Sequence, residues 1–383
     1  IWLILVLIAA SITAASPHAA EAPSDWSKAG LAAISDASPA HRPLLGVNLH
    51  PLQNIYSIYQ PDQLLDRATE TGATVVRIDV HWDWFEWTEP GVAGWDSDQA
   101  QRLAAFLESA QRHNLPVLAV VMDAPCWASS DPRKVCGLTE QRYNWREPPA
   151  NPDDFAAFLS RLVTRYGRQI RYWEIWNEPN LPQFWTRPDP VAYVRLLRAA
   201  YPAIKSSDPT ATVLAGALAP IEPDQFGIPT FDYVEAMYSA GAKGFFDALS
   251  FHPYTDGQSP VVDRPRWPAH SFGQSVPVLH AAMLRAGDAS PIWLTESGWP
   301  TTPSCPSCGW QPTFTSEADQ ARYLAQEIGL VRNWTYVDAL VWYELFDRGA
   351  SQSTSAEDHF GLFHHDLSPK PIVGVLNSLS SAN

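Results

Sequence analysis

The sequence predicts an α/β fold, a (β/α)8 TIM barrel forming a single domain with long loops at its strand ends. Three observations carry this. From Leu44 onward, short runs that are apolar on both sides alternate with amphipathic stretches, the order that buried parallel strands and their crossover helices require. Two of the runs, 172–176 and 292–295, finish at a glutamate, Glu178 or Glu296, with Pro179 or Gly298 and Pro300 just beyond. Segments after strands are long and rich in Trp, Pro and Gly, whereas those before strands are mostly short, so function belongs on the face where the strand C-termini emerge.

Taken in order, strands are expected over 44–49, 75–80, 116–122, 170–176, 212–216, 248–251, 292–296 and 339–343. In the fourth, aromatic and β-branched residues alternate as in a buried strand, and Pro179 has no N–H for a ladder. The strand must stop there, which leaves Glu178 at its C-terminal end. Helices are expected over 61–71, 97–113, 152–166, 191–206, 231–240, 272–286 and 316–332, with a short one near Asn377 closing the ring. Ser97 and Ser316 are N-cap types, and Asp319, three residues after Ser316, comes close to a capping box.

Of the 383 residues, 46% are hydrophobic and 17% charged, enough apolar material for one large core and too little charge for a disordered chain. A formal charge of −15, with no Lys/Arg cluster, argues against nucleic acid and anionic membranes and favours a neutral polar partner. Residues 1–22, an apolar run too short to span a bilayer followed by small residues, read as a signal peptide truncated at its start or as an N-terminal anchor. The Ala-, Ser- and Pro-rich stretch 23–42 reads as a linker, and 43–383 as the barrel. An exported monomer is expected. Four cysteines suit an oxidising compartment, with local bridges Cys126–Cys136 and Cys305–Cys308 stapling two loops. A redox pair or half a zinc site at Cys305 and Cys308 would need a helix start or a second ligand pair, and neither accompanies them.

In a barrel the polar residues at the strand ends converge on one pocket: Asn48 and His50; Arg77, Asp79 and His81; Asp123; Asn177 and Glu178; His252 and Tyr254; Glu296; Trp342 and Glu344. Plainer readings exist for several. Arg77 and Asp79 could pair inside the barrel, His252 could be a satisfied core histidine, and Trp342 could be ordinary core. Glu178 and Glu296 differ, because an unpaired carboxylate closing an apolar strand is costly unless something uses it. Two carboxyls facing each other across a pocket are the equipment for splitting a glycosidic bond, one protonated to help the leaving oxygen depart and the other ionised to attack or to activate water. Their mutual repulsion lifts the pKa of one and so divides the roles. A serine hydrolase is disfavoured, since no G-x-S-x-G elbow exists. No metal constellation and no cofactor motif is visible; His364 and His365 are adjacent, which points their side chains apart.

Asn177-Glu178-Pro179 on the fourth strand and Glu296 on the seventh resemble the retaining glycoside hydrolases of clan A, over nearly the whole barrel, 44–379. Pro125-Cys126-Trp127-Ala128 after the third strand and the overall layout are most similar to family 39, with family 5 next. The resemblance implies hydrolysis of a poly- or oligosaccharide by double displacement through a covalent glycosyl-enzyme. It gives Glu178 as acid/base, Glu296 as nucleophile and Asn177 as the partner of the sugar 2-hydroxyl. It further implies that His252 and Tyr254 order that pair, that Arg77 keeps the nucleophile ionised, and that Trp342 is the platform beneath the sugar. Asn48, His50, His81 and Trp127 complete the expected binding set, and Glu344 has no assigned role. Of the 17 Trp, Trp82, Trp84, Trp87, Trp95, Trp127, Trp145, Trp185, Trp267, Trp299 and Trp310 fall in strand-end loops and together suggest several sugar subsites. A transglycosylase would use the same groups; a carbohydrate-binding pseudo-enzyme would lack one of the two carboxyls.

Overall fold

In the computed structural model, eight parallel strands close on themselves in chain order: β1 (Leu44–Leu49), β2 (Val75–His81), β3 (Val117–Met122), β4 (Ile170–Asn177), β5 (Thr212–Leu218), β6 (Ala248–Phe251), β7 (Ile292–Ser297) and β8 (Val337–Trp342). The residues described are 41–53, 59–87, 91, 94–95, 97–131, 147–301, 315–349, 353 and 355–381. A helix follows each strand: α1 (Pro61–Glu70), α2 (Asp98–Arg112), α3 (Pro152–Tyr166), α4 (Pro190–Ser207), α5 (Thr230–Ser239), α6 (Phe272–Arg285), α7 (Glu317–Asn333) and α8 (Pro371–Ser381). The expected strands and helices are all present, with no end shifted by more than two residues. β5 runs on past Gly216 because Ala217 still pairs with Asn177.

The two-residue period of each strand sorts its side chains into separate cores. Val75, Leu118, Tyr172, Leu214, Ala248, Trp293, Ala339 and Val341 point inward and fill the barrel floor. Their neighbours, such as Val76, Ala119, Trp173, Ile175 and Leu340, point outward and pack beneath the helices. Two residues further along the inward rows the chemistry changes to Arg77, Glu174 and Thr295, a polar layer above the floor. The Ser97 hydroxyl caps α2 by accepting from the Ala100 N–H, and Ser316 caps α7 by accepting from the Asp319 N–H while its hydroxyl donates to the Asp319 carboxylate.

β4 ends in left-handed backbone, with φ of 71° at Trp176 and 40° at Glu178, both costly for residues with a side chain. Gly216 on β5 passes directly against this bend: a Cβ there would strike the Ile175 carbonyl oxygen and lie 2.5 Å from that of Trp176. Beyond the bend, Asn180 joins the β4 and β5 loops, donating to the Ala219 carbonyl at 2.9 Å and accepting from the Ala219 N–H at 2.9 Å.

Cys126 opens a short 3-10 turn after β3, is buried, and is not a free thiol. Cys136, Cys305 and Cys308, and with them both expected bridges, lie outside the described residues, as do residues 1–40. Among the described residues, no helix is long and apolar enough to cross a membrane.

Gly216→Ala should therefore destabilise the barrel by about 1–3 kcal/mol, the usual cost of forcing an extra carbon into a packed site. The denaturation midpoint reads this directly. An unchanged midpoint would mean that β4 and β5 part freely at the bend.

Candidate active site

Arg77 projects from β2 into the polar layer and is 3% exposed. Its Nε donates to Glu174 at 2.7 Å, Nη1 to Glu296 at 2.6 Å and to Asn48 Oδ1 at 2.9 Å, and Nη2 to Asn177 Oδ1 at 2.9 Å. One guanidinium thus joins β1, β2, β4 and β7. Burial alone would disfavour its charge, but the Glu174 and Glu296 carboxylates outweigh that and hold the proton. Glu174, fully buried, also accepts from Thr295 Oγ1 at 2.8 Å. Asn48 Nδ2 donates to the Thr295 carbonyl at 3.0 Å and the Trp342 carbonyl at 3.3 Å. Asp79 is not the partner of Arg77; it serves two histidines instead.

Above this layer, Glu178 and Glu296 face each other, with carboxyl oxygens within 4.8 Å of one another and of a ring nitrogen of His252. His252 Nδ1 lies 2.8 Å from Glu178 Oε1 and 3.6 Å from Glu296 Oε2, and the Tyr254 hydroxyl donates to Glu296 Oε2 at 2.9 Å. Burial pushes both carboxyls up from the ordinary range. The opposing forces are unequal. Glu296 has the hydrogen-bonded Arg77 charge first and then the Tyr254 hydroxyl, whereas Glu178 has chiefly the His252 hydrogen bond, with Arg77 acting only as a more distant charge. The anionic form is therefore better supported on Glu296 than on Glu178. His252 Nε2 is buried without a partner. A bare ring nitrogen tolerates this better than an orphaned N–H, which places the imidazole proton on Nδ1, pointing at the carboxyls.

A second network lines the cleft at the ends of β1 to β3 and β8. His50 Nδ1 meets Asp79, whose other oxygen meets His81 Nε2 at 2.7 Å, and His81 Nδ1 meets Asp123 at 2.5 Å. Burial would lower the His50 imidazole, but the charge and hydrogen bond of Asp79, with help from Glu344, push it up to about 9. His81 is raised as well, burial being outweighed first by Asp123. Glu344 is fully buried, takes the Arg348 Nε at 2.6 Å and lies 3.3 Å from His50 Nε2, so the unassigned third carboxylate anchors a charged wall. Among the described residues, the groups with metal-like spacing are His81, Asp83 and Asp123, and Glu178, His252 and Glu296. In the first, both nitrogens of His81 already serve carboxylates and its ring stacks on Trp84 at 3.9 Å.

The cleft encloses about 1360 Å³, above the range of an ordinary small-molecule site and roomy enough for more than one sugar ring. His50, Arg77, His81, Asn177, Glu178, Tyr254 and Glu296 line it, with His252 and Asn48 directly behind. Trp342 does not. Ala339 and Val341 fill the barrel interior, so Trp342 points outward; it is 1% exposed and donates to the Phe360 carbonyl at 3.0 Å. Tyr343, the next residue, lines the cleft in its place. Trp127 is likewise a packing residue, edge-on to Trp82 with its N–H on the Glu86 carbonyl at 2.8 Å. Of the loop tryptophans only Trp84 and Trp87 reach the cleft among the described residues; Trp82, Trp185 and Trp299 are core, and Trp145 and Trp310 lie outside the description. Sequence reading missed Glu174 and Arg348. Glu174 had a signal, an acid at an inward position two residues after Tyr172, whereas Arg348 sits in a loop with no period to mark it.

The family model "Cellulase (glycosyl hydrolase family 5)" matches residues 35–263, more than half of the chain. A β-xylosidase from Geobacillus stearothermophilus is 31% identical over 88 residues, 20% of this chain and 18% of that protein. The fold is similar to a family 39 glycoside hydrolase from the gut symbiont Bacteroides cellulosilyticus WH2, with TM-score 0.65 and 22% identity over 89% of this chain and 64% of that one. It is also similar to a family 5 (subfamily 18) protein from Streptomyces cattleya solved in complex with GlcNAc, with TM-score 0.65 and 18% identity over 89% and 80%. The chain therefore spans less than two thirds of the first two of these proteins. The resemblance to family 39 first and family 5 second reappears here as a family 5 sequence match beside folds of both families.

Because His50 gains its proton partners only on folding, its contribution to stability is complete below its unfolded pKa of 6.5 and disappears as pH rises through about 9. His50→Gln should therefore flatten the loss of thermal stability between those values. Parallel melting curves for the two proteins across that window would contradict the ion-paired imidazole.

Proposed function

The chain belongs to the cellulase family, glycosyl hydrolase family 5, and from that premise we propose that it is a retaining glycosidase acting on a neutral poly- or oligosaccharide through a covalent glycosyl-enzyme. One observation carries the reading: the approach of Glu178 and Glu296 to within 4.8 Å. Retaining enzymes hold their carboxyls about 5–5.5 Å apart, whereas inverting ones need about 6.5–9.5 Å to admit a water. In this proposal Glu296, kept ionised by Arg77 and oriented by Tyr254, attacks the anomeric carbon. Glu178 gives its proton to the leaving oxygen, then takes one from the water that breaks the glycosyl ester. His252, donating through Nδ1 to Glu178 Oε1, leaves Oε2 to carry the proton toward the substrate. The Asn177 amide nitrogen, its oxygen being taken by Arg77, donates to the sugar 2-hydroxyl. Tyr343 is the aromatic wall of the sugar site, in place of Trp342.

Charge balance supports the neutral substrate. Among the described residues, the cations facing the cleft, Arg77, His50, His81 and Arg348, are each matched by Glu174, Glu296, Asp79, Asp123 or Glu344, which leaves none of these four spare for a uronate. Residues 1–22 are proposed to direct export, with Cys126–Cys136 and Cys305–Cys308 bridged in the exported monomer.

Glu296→Ala should lower kcat by about 10⁴- to 10⁶-fold, the scale set by removing a covalent nucleophile. Added azide should restore product of inverted anomeric configuration, and a variant that kept its rate would remove Glu296 from the role. The pH profile of kcat/KM should be a bell: rate rises as Glu296 ionises and falls at higher pH as Glu178 loses its proton, displaced upward by burial. With an activated aryl leaving group, Glu178→Gln should retain turnover and lose the alkaline limb. A limb that persisted would assign the acid elsewhere. Reducing agent should lower the melting temperature by several degrees if the cysteines are bridged.

A further inference from the structure

We infer that Glu327, on α7 outside the barrel, is a positioning residue for the nucleophile: through Ser297 it holds the end of β7 in the orientation that turns Glu296 into the cleft. The inference rests on the reading of Glu296 as nucleophile. A strand that kept its two-residue period would not deliver Glu296 there. Trp293 points into the barrel floor, Leu294 out beneath the helices and Thr295 inward again to Glu174, so Glu296 would be due to point outward. The ladder shows how it is re-aimed. Leu294 pairs with Leu340 and Ser297 with Trp342, an advance of three residues on β7 against two on β8. The extra residue is a β-bulge, which turns the side chains beyond it to the other face. Thr295 and Glu296 therefore both face inward, and Ser297 faces out toward α7.

Two side chains of α7 fix the sense of that turn. The Ser297 hydroxyl donates to Glu327 Oε1, and the Ser297 carbonyl accepts from the Tyr343 N–H at 2.8 Å, so pairing with β8 resumes directly beyond the bulge. Gln320, on the same buried face of α7 as Glu327, donates through Nε2 to the Trp299 carbonyl at 2.8 Å. Ser297, Trp299, Gln320 and Glu327 are all buried. A helix that merely covered the strand would meet it with carbon, of the kind Leu324, Ile328 and Val331 supply on the same face. Glu327 instead buries a whole carboxyl. Its Oε2 has no hydrogen-bond partner, and Ser297 is its one polar partner among the described residues. Burial pushes its pKa up to about 8 against the Ser297 hydrogen bond, so the group is neutral at neutral pH. A buried carboxyl with one oxygen unsatisfied is costly, and the contact that it does make is to the residue next to the nucleophile.

The test measures kcat/KM, which reports the attack of Glu296, on the 2,4-dinitrophenyl glycoside of whichever glycone is turned over. Glu327→Leu, apolar and of similar bulk, leaves nothing to receive the Ser297 hydroxyl and should lower kcat/KM about 10- to 100-fold, the scale of a small misplacement of a reacting group. Glu327→Gln keeps an acceptor and should recover most of that loss. The same pair of substitutions is then made in Glu296→Ala with azide added. Azide is its own nucleophile and does not depend on the aim of residue 296, so Glu327→Leu should cost the azide-dependent rate little. An equal fall in both backgrounds would make Glu327 a support of the fold alone, and an unchanged kcat/KM in Glu327→Leu would mean that the bulge holds without it. Either result overturns the inference and leaves the glycosidase reading intact. Should Glu327→Leu fail to fold, Ser297→Ala, which removes one hydroxyl, goes through the same two backgrounds with the same expectations. No turnover of any glycoside by the unsubstituted protein would remove the glycosidase reading, and this inference with it.

Discussion

Everything in the cleft depends on a single cation buried inside a ring of strands. Arg77 touches Glu174, Glu296, Asn48 and Asn177, and those contacts set the height and rotation of four strand ends. Burying a guanidinium is expensive, and two carboxylates with a matched fork of donors are what offset it. The same arrangement makes Glu296 and Glu178 unequal. Both are buried and close enough to repel, but only Glu296 is hydrogen-bonded to the cation, so its charge is the better supported of the two.

This node is built on a layered interior. The apolar floor from Val75 to Val341 closes the barrel, the polar layer of Arg77, Glu174 and Thr295 rests on it, and the two glutamates stand above. The strain in β4 belongs to that scheme. Left-handed backbone at Trp176 and Glu178 lifts the glutamate into the cleft, and Gly216 makes room for the bend on the neighbouring strand. The loops then give the cleft a charged wall from β1 to β3 and β8, while Leu181, Phe184, Ile221 and Phe226, with Gln183 and Gln225, come from β4 and β5.

Much of this was readable from local pattern. Strand ends are marked by period-two apolar runs stopped by Pro or Gly, which is why the bounds expected for β1 and β6 are the ones observed and Glu178 and Glu296 stand out. Where a reading depended on parity at the end of a strand, it failed. Trp342 and Tyr343 are adjacent aromatics at the end of β8, and a one-residue difference exchanges core for cleft; only the inward positions of Ala339 and Val341 resolve it. The loop tryptophans failed for a related reason. An aromatic ring buries as readily against a helix as against a sugar, so composition alone overstates the number that reach the cleft.

The sequence by itself determined the order of strands and helices, the fold class and the placing of Glu178 and Glu296 at strand ends, because each follows from periodicity and chain-breaking residues that act over a few positions. Only the tertiary structure decided which partner each charge takes, that Arg77 serves Glu174 and Glu296 while Asp79 serves His50 and His81, and that Tyr343 rather than Trp342 reaches the cleft. Those outcomes depend on distances between residues far apart in the chain, and such distances exist only once the barrel has closed.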